Sequence, residues 1–466
     1  MSFNRSVRMS TLLILTMALG FHHATANAAL GDPAGDELQV NTSTLADQEN
    51  PTVAINAAGD FVVIWESLDV NTGDFGIYSQ RYNADGTRQG GETQINTTIL
   101  DDQSSPKIAM NGDGNSVVVW ENTDQNGDIN IYARRFSADG SPSGSNFRVN
   151  SVAISNATSG IVPAVGMDSA GNFTVAWESF DETNGDEDIY ARRYDSSDTA
   201  LGAEFRVNTE IGDDQMAPAL AMNSAGDFIV AWQSAAQDAD GSTGIYAQRY
   251  DATGTALGGE FRVNTTTANE QTAVTAAMNT AGDVILGWQS AAQDSDGSTG
   301  IYAQRYDATG TALGAEFRVN TEVSNDQTAP AAAMNAAGDL VMTWESMVQD
   351  GNGKGIYAQR YDATGTPFGG EFRVNTETAN AQTSPAVGIN ADLAMVVAWQ
   401  SYGQDNIRHP SYGIHAQRYL GNTVTASSSN ASSSSGGGGG GALGWWFSMM
   451  MILPALYGRR RRRVSY

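Results

Sequence analysis

The 466-residue chain contains no cysteine and only four histidines. Without cysteine there are no disulfides, thiolate metal sites or cysteine nucleophiles. Stability must come from packing. Two of the histidines, His22 and His23, fall in the N-terminal leader, leaving His409 and His415 in the body. General-base and metal chemistry lean on imidazole, so the chain offers few parts for an enzyme. Positive charge is also scarce. Arg5, Arg8 and Arg459 to Arg463 account for seven of the 25 basic residues, which leaves 18 against 52 acidic residues in between, a net of −34. Such a surface repels nucleic acid and anionic membranes. Nucleic acid is therefore no expected partner, whereas solubility outside the cell is favoured and cation binding is open. No stretch of the body carries a helical period.

The first 28 residues read as a secretory signal peptide. Arg5 and Arg8 form the basic region and Leu12 to Phe21 the apolar stretch, with small residues "ANA" at 26–28 placing signal-peptidase cleavage after Ala28.

The body is a repeat. Trp65, Trp120, Trp177, Trp232, Trp288, Trp344 and Trp399 recur every 55 to 57 residues inside the phrases "AMNSAGDFIVAWQS" and "GIYAQRYDATGTALGGEFRVNT". That period means one supersecondary unit used many times. Each unit carries four strand signals, in the fourth unit Ala217 to Asn223, Asp227 to Ser234, Gly244 to Asp251 and Glu260 to Thr265. "NSAG" predicts a tight hairpin with Gly226 left-handed. Four antiparallel strands repeated seven times predict an all-β, seven-bladed β-propeller. The expected blades run over about 51–96, 104–150, 161–208, 216–264, 272–320, 328–375 and 383–420. The last unit lacks a fourth strand, while "ELQVN" (37–41) precedes the first unit. The N-terminal strand is thus expected to complete the last blade and remove the open seam. Ala54, Ala109, Gly166, Ala221, Ala277, Ala333 and Gly388 are small at one first-strand position, as expected where seven strands converge on an axis. The tryptophans read as inter-blade core, with a sugar-stacking platform as the alternative.

Chemistry has few candidate places. Third-strand arginines (Arg81, Arg135, Arg193, Arg249, Arg305, Arg360, Arg418) and the residue after each Trp (Glu66, Glu121, Glu178, Gln233, Gln289, Glu345, Gln400) occur in every unit, which points to blade maintenance by hydrogen bonds or ion pairs. Gln48, Gln103, Gln215, Gln271, Gln327 and Gln382, with Gly160 breaking the series, either ring the channel mouth or brace adjacent blades. The loops between second and third strands should share a rim with the inter-blade loops. Two of them, "QDADGST" and "QDSDGST", place Asp238 with Asp240 and Asp294 with Asp296. Asp-x-Asp-Gly resembles the start of a calcium loop, although the downstream bidentate Glu is missing and plain turns use the same residues. Calcium is the one cofactor the sequence suggests. The loop 401–415 is longer than its counterparts and holds Tyr402, Arg408, His409 and Tyr412, candidates for ligand contact or for bracing the closure.

After Leu420 comes a Ser/Gly-rich linker (421–441), an apolar segment (442–458) and a basic tail (459–466). The sixteen apolar residues of 442–457 span about 24 Å as a helix, short of the roughly 30 Å hydrocarbon core. Gly444 and Pro454 weaken that helix, and the arginine block sets the C-terminus cytoplasmic. The order "SSSSGGGGGG", "GALGWW", short apolar segment and Arg cluster resembles the bacterial GlyGly-CTERM sorting signal. That resemblance implies transient membrane anchoring and cleavage among Gly436 to Gly441, with Gly440 and Gly441 singled out, by a rhombosortase-like intramembrane protease. It also implies a Gram-negative host, type II secretion and display on, or release from, the cell surface. The repeat phrase is similar to those of large bacterial surface and secreted proteins. The expected function is a non-enzymatic binding or adhesion module for an extracellular polymer or surface ligand. The alternative is a secreted hydrolase acting on polysaccharide or another extracellular polymer, with acidic residues at the channel mouth.

Overall fold

Strands two and three of every repeat are rich in β-branched and aromatic residues and bury both faces, so each must be sandwiched between other sheets. The computed structural model, which describes residues 31–97, 101–155, 161–180, 185–238, 240–405 and 410–421, arranges them so. Seven four-stranded antiparallel sheets form a ring, and the described residues contain no helix. Blade four is typical. Its strands Gln215–Met222, Phe228–Ser234, Gly244–Tyr250 and Phe261–Arg262 lie side by side in chain order. The hairpin after Met222 is closed by Asn223 N–H donating to Asp227 O at 2.9 Å, with Gly226 at φ 95°. The first strand starts two residues earlier than its apolar pattern suggested, because it bulges between Met216 and Ala219 and continues beyond the bulge. The fourth strand is shorter than Glu260 to Thr265. After Val263 N–H bonds Ile245 O at 2.7 Å, the next ladder position is taken by a side chain, Asn264 Oδ1 accepting from Ile245 N–H at 2.8 Å.

The core lies between blades. Seven clusters each join two neighbours; one packs Ile229, Ala231, Ile245 and Ala247 of blade four against Val284, Leu286 and Trp288 of blade five. All seven repeat tryptophans are buried in them, at most 1% exposed, which makes them core. First strands touch first strands in an unbroken cycle, blade seven against blade one included. The small first-strand residues serve this cycle. A Cβ on Gly166 would lie 2.4 Å from Leu220 Cδ2 and 2.8 Å from Met222 Cβ of the next blade. Convergence therefore constrains the face toward the neighbour, while the channel wall is built from the preceding positions, Pro218 to Leu220 in blade four.

The N-terminal strand closes the ring. Leu38 pairs with Ala416 and Gln39 with His415, antiparallel. The match extends into the turn. Gly31 N–H donates to Leu420 O (2.9 Å) and Leu420 N–H to Asp32 O (3.0 Å), the same two bonds that Gly254 and Asp251 make with Asp251 O (2.8 Å) and Thr255 O (2.9 Å). One turn is thus assembled from two separate stretches of chain, as if blade seven had been cut within it.

Candidate functional site

The repeated polar residues are spent on the ring itself. In all seven blades an Asn after the fourth strand accepts the backbone N–H of the third-strand Ile, from Asn41 with Ile414 (2.7 Å) to Asn375 with Ile356 (2.8 Å). The Thr or Ser after that Asn is held by the next blade. Its backbone N–H donates to Glu92, Glu204, Glu260, Glu316, Glu371 or Glu37, while in blade two Asn146 takes that place beside Thr97. Third-strand arginines reach turn carbonyls of the following blade. Arg249 grips Ala308 O and, at 2.6 Å, Thr309 O; Arg418 grips Ala84 O and Asp85 O across the closure. Six of the seven, from Arg81 to Arg418, donate to carbonyls, and Arg135 also faces the Asp198 carboxylate at 3.6 Å.

The residue after each Trp completes the set. Each Glu66, Glu121, Glu178, Gln233, Gln289, Glu345 or Gln400 accepts a backbone N–H of the next blade at 2.7 to 3.1 Å, from its first strand in six blades and from Ile161, just before that strand, in blade three. Six of the seven donors (Ser105, Ala217, Ala273, Ala329, Ser384 and Asn50) have φ between 49° and 54°. The bulge turns this N–H out of its own ladder and toward the neighbour. The glutamine series is buried, at most 2% exposed, and lies away from solvent rather than around the channel mouth. Gln215 accepts from Trp232 Nε1 (2.8 Å), and Gln271 from Asn264 of the previous blade (2.9 Å), which is bracing. Gly160 lies outside the described residues.

The axial channel, about 480 Å³, is walled by small and apolar first-strand residues such as Pro218, Ala219 and Ala331, with Lys107 the charged exception. Burial works against the charge of three of the acceptors, Glu66, Glu121 and Glu178. Burial raises the pKa of Glu66 and Glu121 despite their N–H donors. In Glu178 burial, opposed by the Ala217 N–H and reinforced by Glu187, Glu121 and Asp214, raises it to about 7. Both lysines of the chain sit among these carboxylates. Lys354 Nζ is 2.6 Å from Glu345 Oε2, and Lys107, its pKa lowered by burial, is partly compensated by Glu66.

On the rim, inter-blade loops and loops between second and third strands interlock. Thr243 N–H, for example, donates to Glu270 of the following loop. The aspartates of the Asp-x-Asp-Gly loops face apart. Asp238 is buried, accepting from Asn264 Nδ2 (2.6 Å) and Tyr246 OH (3.2 Å) with Arg262 at 3.8 Å; Asp294 repeats this with Asn320, Tyr302 and Arg318. A Cβ on Gly244 would meet Asp238 Oδ1 at 2.4 Å, which is why the third strand opens with Gly. Asp240 and Asp296 are exposed and accept from Ser242 and Ser298 in their own turns. Among the described residues no group of three or more His, Asp or Glu is placed so that it could hold a metal ion.

The blade-seven loop brings Tyr402 and Tyr412 together as register partners, ring centroids 5.2 Å apart and edge-on, with Tyr402 37% exposed. Arg408 and His409 lie outside the described residues, as do Ala28, Gly440, Gly441 and the 442–458 segment. Among the described residues no helix is long and apolar enough to cross a membrane. One residue that the sequence did not single out stands in this loop's base. His415 takes the position of Tyr246, with Nε2 2.8 Å from Asp405 Oδ1 and Nδ1 3.2 Å from Glu37 Oε1. The signal was available: six blades have Tyr there, and only the seventh has His.

No family model matches this sequence, and no curated protein matches it. Solved structures do. A protein of unknown function from Dyadobacter fermentans is 11% identical, with a TM-score of 0.50 over 83% of this chain and 98% of that one. An α-L-arabinanase of Penicillium chrysogenum, complexed with arabinobiose, is 10% identical with a TM-score of 0.46 over 82% and 98% of the two chains. The β-propeller domain of the Trilobed protease from Pyrococcus furiosus, described as having an open velcro topology, is 10% identical with a TM-score of 0.44 over 80% and 94%. At such identities likeness extends to the fold alone. By its strand order and its closure, this chain is a seven-bladed β-propeller.

Proposed function

We propose that this propeller is an exported, surface-displayed binding module for an extracellular polymer or surface ligand. The observation that carries the reading is the division of labour among its polar groups. The side chains that recur in every blade are committed to neighbouring backbone, so they hold the ring rigid. What differs from blade to blade is left on the loop rim, and the most distinct loop presents the half-exposed Tyr402–Tyr412 pair. Tyrosine pairs give large contact area at low entropic cost. The sorting-signal resemblance of the tail supplies the export half of the reading. Its test is the mass of the surface protein, which should end within or near the glycine run; an intact Arg459 to Arg463 would refute the sorting. The binding half is tested by screening the purified ring on a glycan array and on cells. Tyr402→Ala with Tyr412→Ala should abolish the signal while leaving the melting temperature unchanged.

A second reading, a hydrolase acting on an extracellular polymer, is favoured by one feature. Glu178 has its pKa raised to about 7, the range suited to a general acid. Turnover of a polysaccharide panel that vanishes in Glu178→Gln would establish it over the binding module.

A further inference from the structure

In blades three, four and five the buried aspartate below the rim faces a permanent charge from the fourth strand: Arg206 at 3.6 Å from Asp188, Arg262 at 3.8 Å from Asp238 and Arg318 at 3.7 Å from Asp294. In blades four and five a third-strand Tyr hydroxyl also donates to it. Blade seven changes both partners together. Gln39 stands in the Arg262 position and His415 in the Tyr246 position, register partners across the closure just as Arg262 and Tyr246 are. The charge opposite Asp405 has moved from a group that never titrates to one that does. This occurs in the one blade whose outer strand is not joined to its third strand by the chain.

His415 is 4% exposed and stacks on Trp399 of the second strand. The charged groups facing it are Asp405 from the loop and Glu37 from the N-terminal strand, and its register partner Gln39 is neutral. Glu37 is the same residue that grips Thr376 of blade six, through backbone N–H (2.9 Å) and hydroxyl (2.7 Å), and it also accepts from Gln404 at 2.6 Å. One carboxylate therefore ties together the N-terminal strand, blade six and blade seven.

We propose that the ring is closed by a proton-dependent clasp, in which protonated His415 bridges Asp405 and Glu37 and loss of that proton releases the N-terminal strand. Neutral imidazole can donate through one nitrogen only, so deprotonation leaves one of two buried carboxylates facing a lone pair. Burial acts to lower the His415 pKa, but the hydrogen bonds to Asp405 and Glu37 outweigh it and raise the value. The stabilisation is then fully present below the unfolded value of about 6.5 and is lost as pH rises through the higher folded value. An acid limit accompanies it. The hydrogen bonds to His415, Thr376 and Gln404 overcome burial and lower Glu37 to about 2, so its contribution is present above the ordinary carboxylate range and fades as pH falls toward 2. The clasp is tightest in mildly acidic solution.

The test is hydrogen exchange of the purified protein, comparing amide protection at Leu38 to Val40 with that at Phe261 to Val263 in blade four, at about pH 6 and about pH 9. One linked proton changes the opening equilibrium by up to about tenfold per pH unit across the titration. Protection of the N-terminal strand should fall by that factor relative to blade four. Gln39→Arg with His415→Tyr, which installs the blade-four pair, should flatten the dependence. His415→Gln, permanently neutral, should show at pH 6 the low protection that the wild type shows at pH 9. Parallel behaviour of the two strands in the wild type, or full protection in His415→Gln, overturns the proposal.

Discussion

Replacing Asn264 by alanine tests the bond set that recurs around the ring. The side chain is 1% exposed. Its Oδ1 accepts from Ile245 N–H (2.8 Å), and its Nδ2 faces Asp238 Oδ2 (2.6 Å), Thr266 O (2.8 Å) and Gln271 Oε1 (2.9 Å). Two amide hydrogens serve three acceptors, so the substitution removes about three hydrogen bonds. A buried group left unsatisfied costs about 1–3 kcal/mol, and the Ile245 N–H and Asp238 Oδ2 both become so, Asp238 Oδ1 keeping Tyr246 OH and Arg262. The sum is about 2–6 kcal/mol, more than one ordinary hydrogen bond. At about 2.1 cal/mol/K per residue over some 390 residues, that lowers the melting temperature by about 2–7 °C. Urea unfolding should show a lower midpoint at unchanged slope. Asn264→Asp should be no better, because a second carboxylate would face Asp238. A loss below about 1 kcal/mol in the alanine variant would refute the view that these asparagines, rather than the apolar clusters alone, fix each outer strand.

Deleting residues 31–41 removes the Leu38–Gln39 pairing and the Glu37 link together, and should destabilise the whole ring; an unchanged melting curve would contradict closure by this segment. Gly166→Ala should cost about 1–3 kcal/mol through overpacking against Leu220 and Met222, although alanine is the residue at this position in five other blades; a neutral outcome in urea unfolding would show that Leu220 yields freely. Arg249→Lys should recover less than half of the stability lost in Arg249→Ala, since an ammonium cannot span Ala308 O and Thr309 O as a guanidinium does, and full recovery would argue for charge alone. For calcium, melting with millimolar Ca²⁺ should exceed melting with chelator if Asp240 or Asp296 joins a site on the rim; coincident curves in the wild type and in Asp240→Asn would end that idea.

The blade count, the four strands per blade, the closing N-terminal strand and the buried tryptophans were all legible in the chain. They rest on period and on apolar patterning, and a seven-fold repeat averages out local ambiguity. The destinations of the polar repeats were not legible. A Glu or Gln after each Trp looks the same in sequence whether it faces a ligand or a backbone N–H. The bulge lies within one blade, but the Ala217 N–H it turns outward meets Glu178 only once two blades are side by side. The same holds for Asp238 and Asp240, adjacent in one turn-forming motif yet facing opposite environments, because Gly244 lets the first tuck beneath the strand. His415 was visible as the odd residue in a column of tyrosines, but its meaning required Glu37, 378 positions away, to be brought against it by ring closure. Sequence by itself determined what repeats, since burial of apolar area depends on composition and period. Tertiary structure alone decided which polar groups are spent and which remain, since a hydrogen bond is a property of two partners and most of these partners sit in different blades.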